Sequence, residues 1–122
     1  MTANTPQMLA GKDLVDHAVS LALTKKAEHI VLVNPGNQSG IAEWFIICTG
    51  KNEIHNKAIA EAVQTGLKAQ QTPPWHTEGA VDGRWILLDY SDVIINIMLP
   101  ELREYYALEK LWEDCPMIDI QE

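Results

Sequence analysis

Apolar positions recur at helical spacing over residues 11–26, where Leu14, Val15, Ala18, Leu21 and Ala22 share one stripe. Lys25 and Lys26 complement the negative end of that helix's dipole. The period then shortens. "HIVLVN" (29–34) is β-branched and apolar, a strand closed by the turn former "PGN", and "EWFIICTG" (43–50) is a second strand ending at Gly50. Asn52 is placed to cap a helix on which Ile54, Ala58, Ile59, Ala62, Val63 and Leu67 recur. The prolines of "QQTPPWHTEG" break it, and Trp75–Thr77 begins a short strand. A hairpin follows over 84–98, "RWILLDYSDVIINIM". Pro100 opens a last helix that runs through Trp112, with Glu101 and Glu104 near its positive end, and 113–122 is a short acidic tail. Hairpin strands alternating with helix crossovers predict one α/β (α+β) domain over 1–122, a mixed five-stranded sheet with helices packed on it. No internal repeat or second domain is visible.

The hairpin is the most informative stretch. A turn centred on Tyr90-Ser91 sets Asp89 opposite Asp92, Leu88 opposite Val93 and Leu87 opposite Ile94. Opposed residues share a face, and faces alternate with period two. Ile86, Leu88, Val93, Ile95 and Ile97 then form a wholly aliphatic face that belongs under the helices. The other face carries Trp85, Leu87, Asp89, Asp92, Ile94, Asn96 and Met98. Its mixture suits neither open solvent nor a plain core. Two readings stay open: a protein interface anchored by Trp85, or a face covered by a helix or the tail of the same chain.

Composition narrows the function classes. Hydrophobic residues are 47% and charged residues 21% of 122, the balance of a folded globular chain. Nothing approaches the roughly 20 consecutive apolar residues of a membrane-spanning helix, and the start has no export-signal pattern. Cys48 and Cys115 are too few for a disulfide framework or a zinc site and suit a reducing compartment, so the expected location is the cytoplasm. Charge is unevenly divided. Residues 1–81 hold six Lys/Arg and seven Asp/Glu, whereas 82–122 hold three Lys/Arg and ten Asp/Glu. Such a field repels a phosphate backbone and attracts a basic protein surface, so little direct RNA contact is expected. An acidic surface also serves plain solubility.

The residues do not assemble a catalytic set. Asp89 and Asp92 at a strand end could hold a divalent ion, but no third ligand lies near them in sequence and turn-capping is the ordinary role of Asp there. His17, His29, His55 and His76 lack ligand spacing. "CTGKN" places a glycine before a helix without the spacing of a phosphate loop, and Ser39 lacks a nucleophile-elbow context. No metal, cofactor or catalytic residue is expected.

In order along the chain, "AEWFIICTGKNEIHNKAIAEAV", "HTEG", "WILLDYSDVIINIM" and "REYYALEKLW" resemble the signatures of the ribosomal silencing factor family, the bacterial and organellar relatives of the maize Iojap protein. The likeness covers about residues 28–112. It implies a nucleotidyltransferase-like topology without that reaction. It also implies a non-catalytic factor that binds large-subunit ribosomal protein L-fourteen, sterically blocks subunit joining and represses translation under nutrient limitation. Carried onto this chain, Trp85 becomes the buried anchor, with Leu87, Ile94 and Met98 around it and Asn96 among them. Asp89, Asp92, Glu101 and Glu104 become the steering charges. Tyr105 joins them if its helix face turns outward, or is a core residue if it turns in. The family usually has Asp-Tyr where Glu43-Trp44 stand, His at Asn96 and often Asp at Val33, and "NPGNQSG" is one residue longer than its usual loop. The alternatives are a nucleotidyltransferase-like enzyme that binds metal and nucleotide through Asp89 and Asp92, and an acidic adaptor that dimerises or binds another basic protein.

Overall fold

The structure is a computed structural model that describes residues 8–35 and 40–121. Ser39 and the middle of the "NPGNQSG" stretch lie outside the described residues. The elements are α1 (Gly11–Thr24), β1 (Glu28–Val33), β2 (Trp44–Thr49), α2 (Glu53–Ala69), β3 (His76–Glu78), β4 (Trp85–Asp89), β5 (Val93–Met98), α3 (Pro100–Tyr106), α4 (Leu108–Leu111) and β6 (Met117–Asp119). They build a mixed sheet ordered β3-β4-β5-β2-β1-β6. The sheet has six strands rather than five, because part of the acidic tail pairs antiparallel with β1, Ile118 opposite Leu32. The central pair, β2 and β5, is parallel, with Trp44 beside Val93 and Thr49 beside Met98. Every residue of both strands is buried, as expected of parallel strands covered on both faces.

Helices α1 and α2 cover one face. The stripe of α1 is Leu14, Val15, Ala18, Val19 and Ala22. Leu21 is half-buried and packs against α2, where a Cβ on Gly66 would sit 2.4 Å from the Leu21 side chain. The helix ends at Thr24, two residues earlier than its lysines suggest, and Lys26 turns the chain at φ 60°. Its N-cap, Ala10, has no side-chain acceptor; the Asp92 carboxylate reaches across from the hairpin turn and accepts the Gly11 N–H at 2.7 Å. A negative group at a helix start satisfies an orphan donor and meets the positive end of the dipole.

Asn52 caps α2 as its sequence suggests, its side-chain oxygen accepting the His55 N–H at 2.8 Å. Ile54, expected in the apolar stripe, is 80% exposed. It lies in the first turn, and the buried position there is Asn56, whose amide donates to the Gly83 carbonyl at 2.8 Å. A polar side chain with its donor satisfied can replace an aliphatic one inside.

The second face is covered by α3, α4 and the chain beyond them. The last helix is not continuous to Trp112. Ala107 adopts the left-handed conformation (φ 45°, ψ 52°) and donates its N–H to Arg103 O at 2.9 Å, ending α3. That conformation costs about 1–2 kcal/mol for a residue with a Cβ. In return the chain folds back so that Leu108 and Trp112 pack on a second apolar cluster with Val31, Phe45, Ile47 and Ile94.

Candidate functional site

The aliphatic hairpin face, Ile86, Leu88, Val93, Ile95 and Ile97, lies at 0–2% exposure beneath the helices. The opposite face is the functional candidate. Its observed register pairs Trp85 with Met98, Leu87 with Asn96 and Asp89 with Ile94, a slip of two residues from the tight turn read in the sequence. The cause is a turn centred one residue later, on Ser91-Asp92, which moves every partner by two. Ser91 is left-handed (φ 76°), Tyr90 N–H donates to Val93 O at 2.8 Å, and the Asp89 carboxylate accepts the Ser91 N–H at 2.7 Å. A slip of two preserves the faces, because side chains alternate with period two.

Trp85, Leu87, Ile94 and Asn96 together line an apolar groove of about 290 Å³. Its other wall is Leu108, Leu111 and Trp112, with Ile41 also at the lining. The Trp85 indole N–H donates to the Asn96 side-chain oxygen at 2.9 Å, and the indole lies 5.1 Å from the Tyr106 ring at a tilt of 48°. Tyr105 meets Tyr106 edge-on at 4.9 Å, and Trp112 stacks on Phe45 at 5.1 Å.

The remaining sequence-derived candidates divide. Met98 is fully buried beside Trp85, its partner across the ladder, and offers no surface to a docking protein. Ile94 and Asn96, at 8% and 4% exposure, form the floor. The carboxylates of Asp89 and Asp92 are engaged by the turn and by α1, and neither stands opposite the other. Glu101 and Glu104 are exposed on α3, but Glu104 turns to a different depression of about 990 Å³, mixed in its lining and shared with Glu28, Glu109 and Asp119. Tyr105 is 78% exposed, turned outward rather than into the core.

Ile41 and Leu111, 66% and 70% exposed at the groove, were not legible as site residues. Ile41 lies outside both neighbouring predicted strands, and Leu111 shares a helical face with Leu108 and Trp112, a spacing that reads equally well as core. Arg103 was missed too: its guanidinium binds Glu109, Thr49 and the His29 carbonyl.

Chemistry elsewhere is muted. Burial pushes the Cys48 thiol up to about 12 despite the opposing charge of Arg103, so the group is a poor nucleophile. Burial likewise pushes the Tyr90 phenol up to about 12. In the "CTGKN" turn, His55 Nδ1 accepts the Lys51 N–H at 2.8 Å, and Nε2 meets the Lys25 carbonyl at 2.7 Å. These partners place the ring proton on Nε2 and occupy an amide that an anion would need. Among the described residues, no group of three or more His, Cys, Asp or Glu could hold a metal ion, and no helix is long and apolar enough to cross a membrane.

The family model described as "Ribosomal silencing factor during starvation" matches residues 9–122. A ribosomal silencing factor of Halalkalibacterium halodurans is 34% identical over 113 residues, covering 93% of this chain and 97% of that one. A mouse protein named for mitochondrial assembly of the ribosomal large subunit is 31% identical over 80% of this chain, which spans 44% of that protein. A crystal structure from Chromobacterium violaceum superposes with TM-score 0.83 at 28% identity, covering 86% of this chain and 88% of its own. One from Bacillus halodurans gives 0.77 at 33% identity, covering 90% and 100%. With a family model spanning nearly the whole described chain and relatives of the same length and fold, the protein belongs to the ribosomal silencing factor family.

Proposed function

We propose that this chain is a single-domain, non-catalytic factor that docks on the large ribosomal subunit through ribosomal protein L-fourteen. There it sterically blocks joining of the small subunit and represses translation when nutrients are limiting. The observation that carries the docking site is the groove at Trp85. An aromatic anchor with its N–H satisfied by Asn96 in an otherwise apolar groove, and exposed apolar residues at the lining, is the composition of a protein-binding hot spot. The acidic last third suits a basic partner in the cytoplasm and disfavours a direct grip on phosphates. The mouse relative's name ties that protein to the same subunit.

The test is co-sedimentation with separated large and small ribosomal subunits, beside a Trp85→Ala variant checked for folding. Selective binding to the large subunit, weakened by about 2 kcal/mol or more in the variant, is the expected result. Binding to neither subunit would refute the docking reading, and binding unaffected by the variant would remove Trp85 from the contact. Subunit-joining assays with purified L-fourteen as competitor then test the partner and the block.

A further inference from the structure

The groove has one wall on the sheet and one on two helices too short to hold themselves in place. Helix α3 has seven residues and α4 has four, and neither contains a fully buried residue. Isolated helices of this length are not stable in water. Something else must fix Tyr106, Leu108, Leu111 and Trp112 relative to Trp85.

Arg103 sits where that fixing is needed. Its side chain is only 11% exposed. Nε and Nη2 both reach the same Glu109 carboxylate oxygen, at 3.0 and 2.9 Å. Nη1 donates to Thr49 Oγ1 at 3.0 Å and to the His29 carbonyl. One guanidinium thus ties α3 to the end of β2, to the irregular start of β1, and to α4 across the left-handed turn at Ala107. The planar fork allows these bonds at once; the single ammonium of lysine cannot reproduce their directions. Little exposure also keeps salt from screening the pair as it would on an open surface.

We propose that Arg103, with Glu109, is a positioning residue for the groove: without touching a partner, it sets the helical wall at the spacing that docking requires. The inference rests on the groove being the docking site. Trp112 depends on the clamp because it lies one residue past α4, and its stack on Phe45 holds when α4 is seated.

The experiment compares the unmodified chain with Arg103→Lys, Glu109→Gln and the double variant, by binding to large ribosomal subunits and by the indole N–H signals in ¹H–¹⁵N spectra. Arg103→Lys should weaken binding by roughly tenfold, as expected for losing hydrogen bonds to a charged group. Glu109→Gln should weaken it less, and the double variant should be no worse than Arg103→Lys. The Trp85 and Trp112 indole signals should move, while that of Trp44, in the core on the other face, should stay. Glu109→Gln keeps the shape of the side chain and supplies the test if Arg103→Lys does not fold. Folded variants with full affinity, strictly additive losses, or unmoved Trp85 and Trp112 signals would each overturn the proposal. The two failures separate: an unmodified chain that ignores the large subunit refutes the docking site, whereas one that binds while both variants bind equally well refutes the clamp.

Discussion

Trp85 and Asn96 face each other diagonally across the β4–β5 ladder, and the indole N–H donates to the asparagine oxygen at 2.9 Å. This bond accounts for two residues that look misplaced in an apolar hairpin. The tryptophan offers its ring to the groove while its one polar atom is satisfied from below. The asparagine is buried among aliphatics because it has a donor to receive.

Removing the acceptor should therefore loosen the anchor. Asn96→Leu is expected to weaken large-subunit docking by about 1 kcal/mol, since the indole must turn toward water or leave its N–H unmatched. Asn96→His restores an acceptor only while the ring is neutral. Its docking should weaken as pH falls through the histidine range near about 6.5, whereas the unmodified chain should show no such step. Affinity measured at pH 5.5 and 7.5 for the three proteins decides it, and an equal response in all three would show that the bond does not hold the anchor.

The net charge of −8 should act mainly on encounter. Association with large subunits is expected to slow as monovalent salt rises, with dissociation little changed, because exposed charges are screened over about 10 Å at 0.1 M. Stopped-flow rates at several salt concentrations would show this. A flat association rate would leave the acidic surface to solubility.

Gly50 is held against α2 closely enough that a methyl group has no room. A Cβ there would fall 2.1 Å from Asn56 Oδ1 and 3.0 Å from the Asn56 backbone nitrogen. Gly50→Ala is expected to destabilise the fold by about 1–3 kcal/mol through overpacking. It should also disturb the bond from the buried Asn56 amide to Gly83. Urea unfolding gives the value, and an unchanged midpoint would mean that the helix start moves freely.

Tyr90 is 5% exposed and its hydroxyl has no hydrogen-bond partner. Tyr90→Phe should therefore be neutral to stabilising, by up to about 1 kcal/mol at pH 7. The pH dependence has a definite sign. A phenol moved from 10.0 to about 12 on folding ionises first in the unfolded chain, so its contribution is whole below pH 10.0 and is lost as pH rises toward 12. Cys48 acts the same way from 9.0 to about 12. Unfolding midpoints should fall on the alkaline side, and less steeply in Tyr90→Phe. The same slope in both proteins would exclude the phenol as a contributor.

The two hairpin faces were legible in the sequence because alternation depends only on the pleat. The register was not, because it depends on the left-handed conformation of Ser91, which nothing in "DYSD" announces. The left-handed break at Ala107 was hidden for a similar reason: alanine favours helix, and the gain that overrides it comes from packing Trp112 on Phe45, far away in sequence. Strand β6 is three residues after a proline, too short for a periodic signal, and exists through its pairing with β1. The groove was half visible. Trp85, Leu87, Ile94 and Asn96 stand on one face of the hairpin, whereas Ile41 and Leu111 reach it only through tertiary folding.

The turn between β4 and β5 also carries a parity. An even change in its length slides β4 along β5 and leaves each side chain on its own side of the sheet. An odd change, with β5 held by β2, would exchange the sides of β4 unless a bulge absorbed it: Ile86 and Leu88 would enter the groove and Trp85 and Leu87 would be driven beneath α1 and α2. Insertions and deletions at Tyr90–Asp92 should therefore sort by oddness rather than by size, with two added residues milder than one.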